Sequence, residues 1–183
     1  MLSRRRFVGS IPAFAALTAL GLPSGPVHSL PDPGAVAALV GLPGIDRPPL
    51  AATDIAGRPL VVAFWASWCP PCRNEFVHLN RVQRAFGPKG VAVIGVNVHE
   101  QVAGRDDPER LARFIAETAP QFPLHVGDDA LLRTFGDVRA IPAVFVFDRS
   151  GEVTFTFQPS RGAKGPSHVT YGELVPVLRN MGL

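Results

Sequence analysis

The sequence predicts a single α/β domain in which helices flank a central mixed β-sheet, and three observations carry that prediction. Two apolar runs, residues 59–65 (PLVVAFW) and 91–98 (VAVIGVNV), have the length and composition of strands buried on both faces. Between them, Phe76, Leu79, Val82 and Phe86 recur at helical spacing, while Arg73, Asn74, Arg81 and Arg84 lie off that stripe. Residues 141–147 and 152–157 bracket the turn Asp148-Arg149-Ser150-Gly151 as an antiparallel hairpin would. A strand–helix–strand unit closes as a right-handed parallel crossover, so parallel and antiparallel pairing must share one sheet.

The remaining elements follow in order. Gly87-Pro88-Lys89-Gly90 stops the first long helix, which spans residues 70–86. Asp107-Pro108 opens another helix carried by Leu111, Phe114 and Ile115, with Pro120 beyond its end. Residues 122–126 read as a short strand, 130–135 as a short helix, 158–170 as a polar loop and 171–181 as a last amphipathic helix. A chain of 183 residues is long enough for one sizeable core and short for two. That domain is assigned to residues 45–183. Residues 30–44 (LPDPGAVAALVGLPG), rich in Pro and Gly, read as a linker or loose arm.

Residues 1–29 read as an export signal outside the fold. Arg4, Arg5 and Arg6 form a basic head, IPAFAALTALGL is a short apolar middle, and small residues follow, with Val27 and Ser29 placed before a cut at Leu30. The apolar middle falls short of the ~20 residues that a membrane-spanning helix needs. Ser3-Arg4-Arg5-Arg6-Phe7-Val8 resembles a twin-arginine signal. The expected location is the periplasm, soluble or anchored through an uncleaved signal. The signal holds three of the 18 Lys and Arg and none of the 15 Asp and Glu, so the remaining chain is balanced. With no basic stripe and no interleaved aromatics, nucleic-acid binding is excluded.

Both cysteines fall in FWASWCPPCRNEF, at Cys69 and Cys72. Electron exchange, metal binding and a structural staple are the readings open to such a pair. A strand ending near Trp65 and a helix starting at Pro70 put Cys69 at the N-cap, with Pro70 and Pro71 at the first two helical positions. Pro71 has no N–H to give, so the Cys72 amide is the expected donor to the Cys69 sulfur. The helix dipole favours a thiolate there. Cys69 is then the attacking thiol, and Cys72, less exposed, resolves the mixed disulfide. A staple would close only a tiny loop. A zinc site needs four ligands, and the five histidines (His28, His78, His99, His125, His168) are scattered. A copper site from both cysteines and His99 or His78 stays conceivable, but no metal or other cofactor is assigned; the redox group is the Cys69–Cys72 disulfide itself.

FWASWCPPC followed by a long helix, and the later AIPAVFVFD, resemble the thioredoxin superfamily. With DIAGRP before the first strand and IGVNV after the helix, the chain is similar to the TlpA/ResA-type exported thiol–disulfide oxidoreductases over about residues 45–181. The resemblance implies a thioredoxin-like fold and reduction of disulfides in particular periplasmic proteins, such as those of cytochrome c or copper-centre maturation. It implies protein substrates carrying disulfides or thiols, a membrane electron donor, and a monomer. A thiol-oxidising protein of the same fold, or a copper carrier using both cysteines, is the alternative.

The resemblance also implies roles for residues. Pro142 falls where these folds carry a cis-proline facing the cysteines, and Ile141 before it would offer backbone groups to an extended substrate. Trp68 would shape the docking surface together with Pro70 and Pro71; Trp65 reads as packing. Glu75, by spacing alone, fits an exposed acid favoured by the helix dipole. The family places a functional glutamate there, which makes Glu75 a candidate proton carrier for Cys72. Thioredoxin itself has a buried aspartate in the first strand, where this chain has Ala63. His99 and Glu100, at the end of the second strand, read as surface residues.

Overall fold

The computed structural model describes residues 30–101, 107–159 and 165–183; the export-signal reading of residues 1–29 lies outside them. The described residues build a five-stranded sheet in the order β3-β2-β1-β4-β5. Its strands are β1 (Leu60–Trp65), β2 (Ala92–Asn97), β3 (Leu124–Val126), β4 (Ala143–Phe147) and β5 (Val153–Phe157). β1–β2 and β2–β3 pair in parallel, whereas β1–β4 and β4–β5 pair antiparallel. The helices are α1 (Ala52–Ile55), α2 (Pro70–Phe86), α3 (Pro108–Thr118), α4 (Asp129–Thr134) and α5 (Tyr171–Arg179). Apart from α1, a single turn with no sequence signal strong enough to notice, each was expected within a few residues.

Strand periodicity sorts the core into two layers. Val61, Ala63 and Trp65 of β1, with Val144 and Val146 of β4, join Cys72, Phe76, Leu79 and Val82 of α2 and Leu174 of α5 on one face. Leu60, Val62 and Phe64, with Ala143, Phe145 and Phe147, pack on the other face against Leu131, Leu132 and Phe135. Both layers are closed, which is why β1 and β2 are apolar at nearly every position. Gly95 in β2 makes room for the first layer. A Cβ there would lie 2.6 Å from Leu124 Cδ2 and 3.1 Å from the Trp65 indole nitrogen.

The arm at residues 30–44 differs from the sequence expectation. Ala35 and Leu39 are buried in the second layer, one helical turn apart. The Asp32 N–H donates to Thr134 O at 2.8 Å, and the Val126 N–H to Pro43 O at 2.8 Å. Gly44 forms an antiparallel bridge with His125 on β3. The segment is therefore part of the fold and covers a strand edge that would otherwise present unpaired backbone groups. Its Pro and Gly content described its local backbone, not its packing.

Candidate active site

β1 leads into residues 66–68, and α2 begins at Pro70. Pro70 and Pro71 occupy the first helical positions, where an N–H would lack an intrahelical partner anyway. Cys69 is the N-cap, and its Sγ accepts the Cys72 N–H at 3.2 Å. The two cysteines are joined as a disulfide with Cα atoms 5.4 Å apart, so the structure represents the oxidised protein. When reduced, the Cys69 sulfur would sit at the positive end of a 17-residue helix, which favours its thiolate. Cys72 is 0% and Cys69 3% exposed, so the ordering expected for the two sulfurs survives only by a small margin. Trp68, the residue before Cys69, is 38% exposed.

The loop before Cys69 is clasped from the end of β2. The Trp68 indole N–H donates to His99 O at 2.7 Å, and His99 presents that carbonyl from the left-handed region, at φ 56°. Glu100 accepts the Ser67 N–H at 2.6 Å and the Asn97 amide at 2.6 Å through Oε1. Its Oε2 accepts the Ser67 hydroxyl at 2.7 Å and Arg110 Nη2 at 3.4 Å. Arg110 Nε donates to Ser67 Oγ at 2.8 Å, and Nη2 to the Glu100 carbonyl at 3.3 Å. Arg110 stands in the first turn of α3, whose N-cap Asp107 accepts its amide. Here the sequence reading needs correcting: His99 is exposed, but the Glu100 side chain is only 16% exposed and its donors fix the motif loop. The available signal was position, because polar residues just outside the carboxyl end of a buried parallel strand border the usual crevice of α/β sheets. Nothing in the sequence singled out Arg110.

Glu75 lies one turn beyond Cys72 on the buried face of α2 and is 0% exposed. Its Oε1 accepts the Val169 N–H at 3.0 Å, and among the described residues Oε2 has no hydrogen-bond partner. Burial pushes the carboxyl from an ordinary 4.5 up to about 8, with the Val169 bond pulling the other way. The exposed-acid reading that spacing favoured does not hold for this residue. Val169, the donor, went unnoticed in the sequence because it belongs to a polar loop far along the chain.

The Ile141–Pro142 bond is cis, as the resemblance implied. Pro142 immediately precedes β4, where Ala143 pairs with Phe64 of β1, so it arrives at the sheet end from which the cysteine loop departs. Ile141 is half-buried against both core layers. The structure thus gathers Trp68, Cys69, Pro70, Pro71, Cys72 and Glu75 along one loop and one helix, and brings Ile141 and Pro142 to the same end of the sheet. Among the described residues no group of three or more His, Cys, Asp or Glu could hold a metal ion. A cysteine pair in this setting can exchange electrons with another disulfide without any other group.

Fold and site together define a thioredoxin-like protein with a Cys-Pro-Pro-Cys pair. Residues 10–171 match the Redoxin family, and the chain belongs to it; ResA-type thiol–disulfide oxidoreductases are among its relatives. It is 28% identical over 102 residues to thiol-disulfide oxidoreductase ResA of Geobacillus thermodenitrificans, covering 55% of each chain. It is 27% identical over 101 residues to ResA of Bacillus subtilis, covering 55% of this chain and 53% of the relative. The chain spans about half the length of the curated relatives it matches. A thiol:disulfide interchange protein of Chlorobium tepidum shares the fold at a TM-score of 0.63 and 23% identity, over 84% of this chain and 96% of that one. Among the described residues no helix is long and apolar enough to cross a membrane.

Proposed function

We propose that this protein is a thiol–disulfide oxidoreductase that reduces disulfides of particular exported proteins. The observation that carries this reading is the cysteine pair at the start of α2, with the Cys69 sulfur accepting the Cys72 amide. In the reduced protein the Cys69 thiolate attacks one sulfur of a substrate disulfide. A Cys69–substrate bond forms, the substrate S–S bond breaks, and one substrate sulfur leaves as thiolate. Cys72 then gives its proton to the Glu75 carboxylate and attacks the Cys69 sulfur. The second substrate thiolate leaves, both substrate thiolates take up protons, and the two electrons have passed to the substrate. The protein is left with the Cys69–Cys72 disulfide.

Turnover then needs a donor of two electrons, for which a membrane-bound dithiol carrier is the proposal. Trp68, Pro70, Pro71, Ile141 and Pro142 form the proposed docking surface. The proposed setting is the periplasm, reached through the twin-arginine-like signal, with a monomer acting on clients such as apocytochromes c or copper-centre assembly proteins. Support comes from the named relatives and from the exposed Trp68 ring beside the nearly buried Cys69.

Trapping tests the reading. Cys72→Ser expressed in its exported form is expected to accumulate mixed disulfides through Cys69, and the captured proteins name the clients. A wild-type protein that is active, with a Cys72→Ser variant that captures nothing, would sink the mechanism.

A further inference from the structure

The loop that supplies the Glu75 hydrogen bond is itself held by a pair of histidines. His78 lies three residues after Glu75 on α2, and His168 immediately precedes Val169. Their rings stack with centroids 5.7 Å apart and planes 18° from parallel. Both residues are half-buried, and among the described residues His78 Nδ1 is buried without a partner. On its other side, Val169 is followed by the N-cap of α5. There Thr170 and Glu173 close a capping box, with the Thr170 N–H and hydroxyl on Glu173 Oε2 at 2.8 and 2.6 Å. The Val169 amide is thus fixed between a helix cap on one side and an imidazole stack on the other.

The geometry points to the His78–His168 stack as a positioning device: it keeps the Val169 amide on Glu75, and protonation of His78 within the stack releases it. Only the kinetic consequence of this inference rests on the proton-carrying role given to Glu75 above. The groups facing the pair are Arg81 from α2, Glu173 and Tyr171 from α5, and Ser167 from the loop. Arg81 lies over the Tyr171 ring at 4.4 Å, and Ser167 Oγ is 3.1 Å from His168 Nδ1. Burial, His168 and Arg81 hold His78 below the ordinary histidine range, while Glu173 opposes them. While His78 is neutral the stack stands. As pH falls and His78 takes a proton, a positive charge enters a contact that already faces Arg81, and the rings part. Loss of the amide removes the hydrogen bond that lowers Glu75, so its carboxyl moves still higher.

The experiment follows Glu75 itself, in the reduced full-length chain with ¹³C-labelled glutamate and its signal assigned by loss in Glu75→Gln. His168→Ala is expected to raise the Glu75 midpoint by about one pH unit. His78→Phe retains a stacking ring that cannot be protonated. It is expected to keep the wild-type midpoint and to abolish the step in the Val169 amide shift below neutral pH. An unchanged midpoint in His168→Ala overturns the inference. Should that variant not fold, a Val169 step that persists in His78→Phe overturns it equally. The midpoint is read without turnover. If Glu75→Gln leaves exchange rates unaltered while His168→Ala still moves the midpoint, the catalytic role of Glu75 falls and the positioning role stands.

Discussion

Glu100 and Glu75 bracket the cysteine pair, one holding the loop before Cys69 and the other standing one turn beyond Cys72, and they differ in how many donors reach them. Ser67 twice, Asn97 and Arg110 all point at the Glu100 carboxylate. Glu75 is buried more deeply and, among the described residues, accepts only the Val169 amide. The first carboxylate anchors a backbone segment. The second keeps an oxygen without a partner and a raised affinity for protons, at about pH 8. Burial alone therefore does not define what a glutamate does here; the supply of donors does.

The largest expected effect tests the deeper member of the pair. Glu75 titrates at an ordinary 4.5 when unfolded and at about 8 when folded, so between these the folded state binds the extra proton. Its contribution is most favourable below 4.5, and stability declines as pH rises through 8. Glu75→Gln should therefore gain on wild type with rising pH, by at most about 5 kcal/mol at pH 9 and by almost nothing at pH 4. Urea unfolding at both pH values measures this, and a pH-independent difference would break the contrast.

Glu100→Ala comes next. It strands the Ser67 N–H and the Asn97 amide and takes one carboxylate from Arg110, and should cost roughly 2–4 kcal/mol in the same assay. A loss below about 0.5 kcal/mol, the level of an ordinary surface substitution, would return Glu100 to the surface class. A third effect is kinetic. Glu75→Gln should slow resolution of the mixed disulfide by about 100-fold at pH 7. The deficit should shrink with rising pH, as hydroxide competes with Glu75 for the Cys72 proton, and a stopped-flow pH–rate profile identical to wild type would remove the role. The smallest effect belongs to Trp68→Phe, which deletes the indole bond to His99. About 1 kcal/mol of stability should go. KM for a protein disulfide should rise several-fold while kcat on a small disulfide holds; equal changes on both substrates would remove Trp68 from docking.

Much of this was legible because it is local. The apolar runs that became β1 and β2, the 3.6-residue stripe of α2 and the hairpin turn at Asp148–Gly151 each declare themselves within a dozen residues. The Cys69 N-cap is local too, since Pro71 leaves the Cys72 amide as donor. Residues 30–44 misled because Pro and Gly report backbone shape, whereas the burial of Ala35 and Leu39 depends on the sheet beneath them. Glu100 misled for a similar reason: an acid after a strand looks solvated until Ser67, 33 positions earlier, is folded against it.

The sequence by itself determined that two thiols would stand at the start of a helix, with Cys69 capping it, because proline stereochemistry and hydrogen-bond supply act over three or four residues. Only the tertiary structure decided the fate of the two glutamates. Glu75 meets its donor across 94 positions and Glu100 meets Ser67 across 33. A carboxyl's charge depends on the solvent and donors that remain around it once distant segments have packed, and no local pattern encodes that.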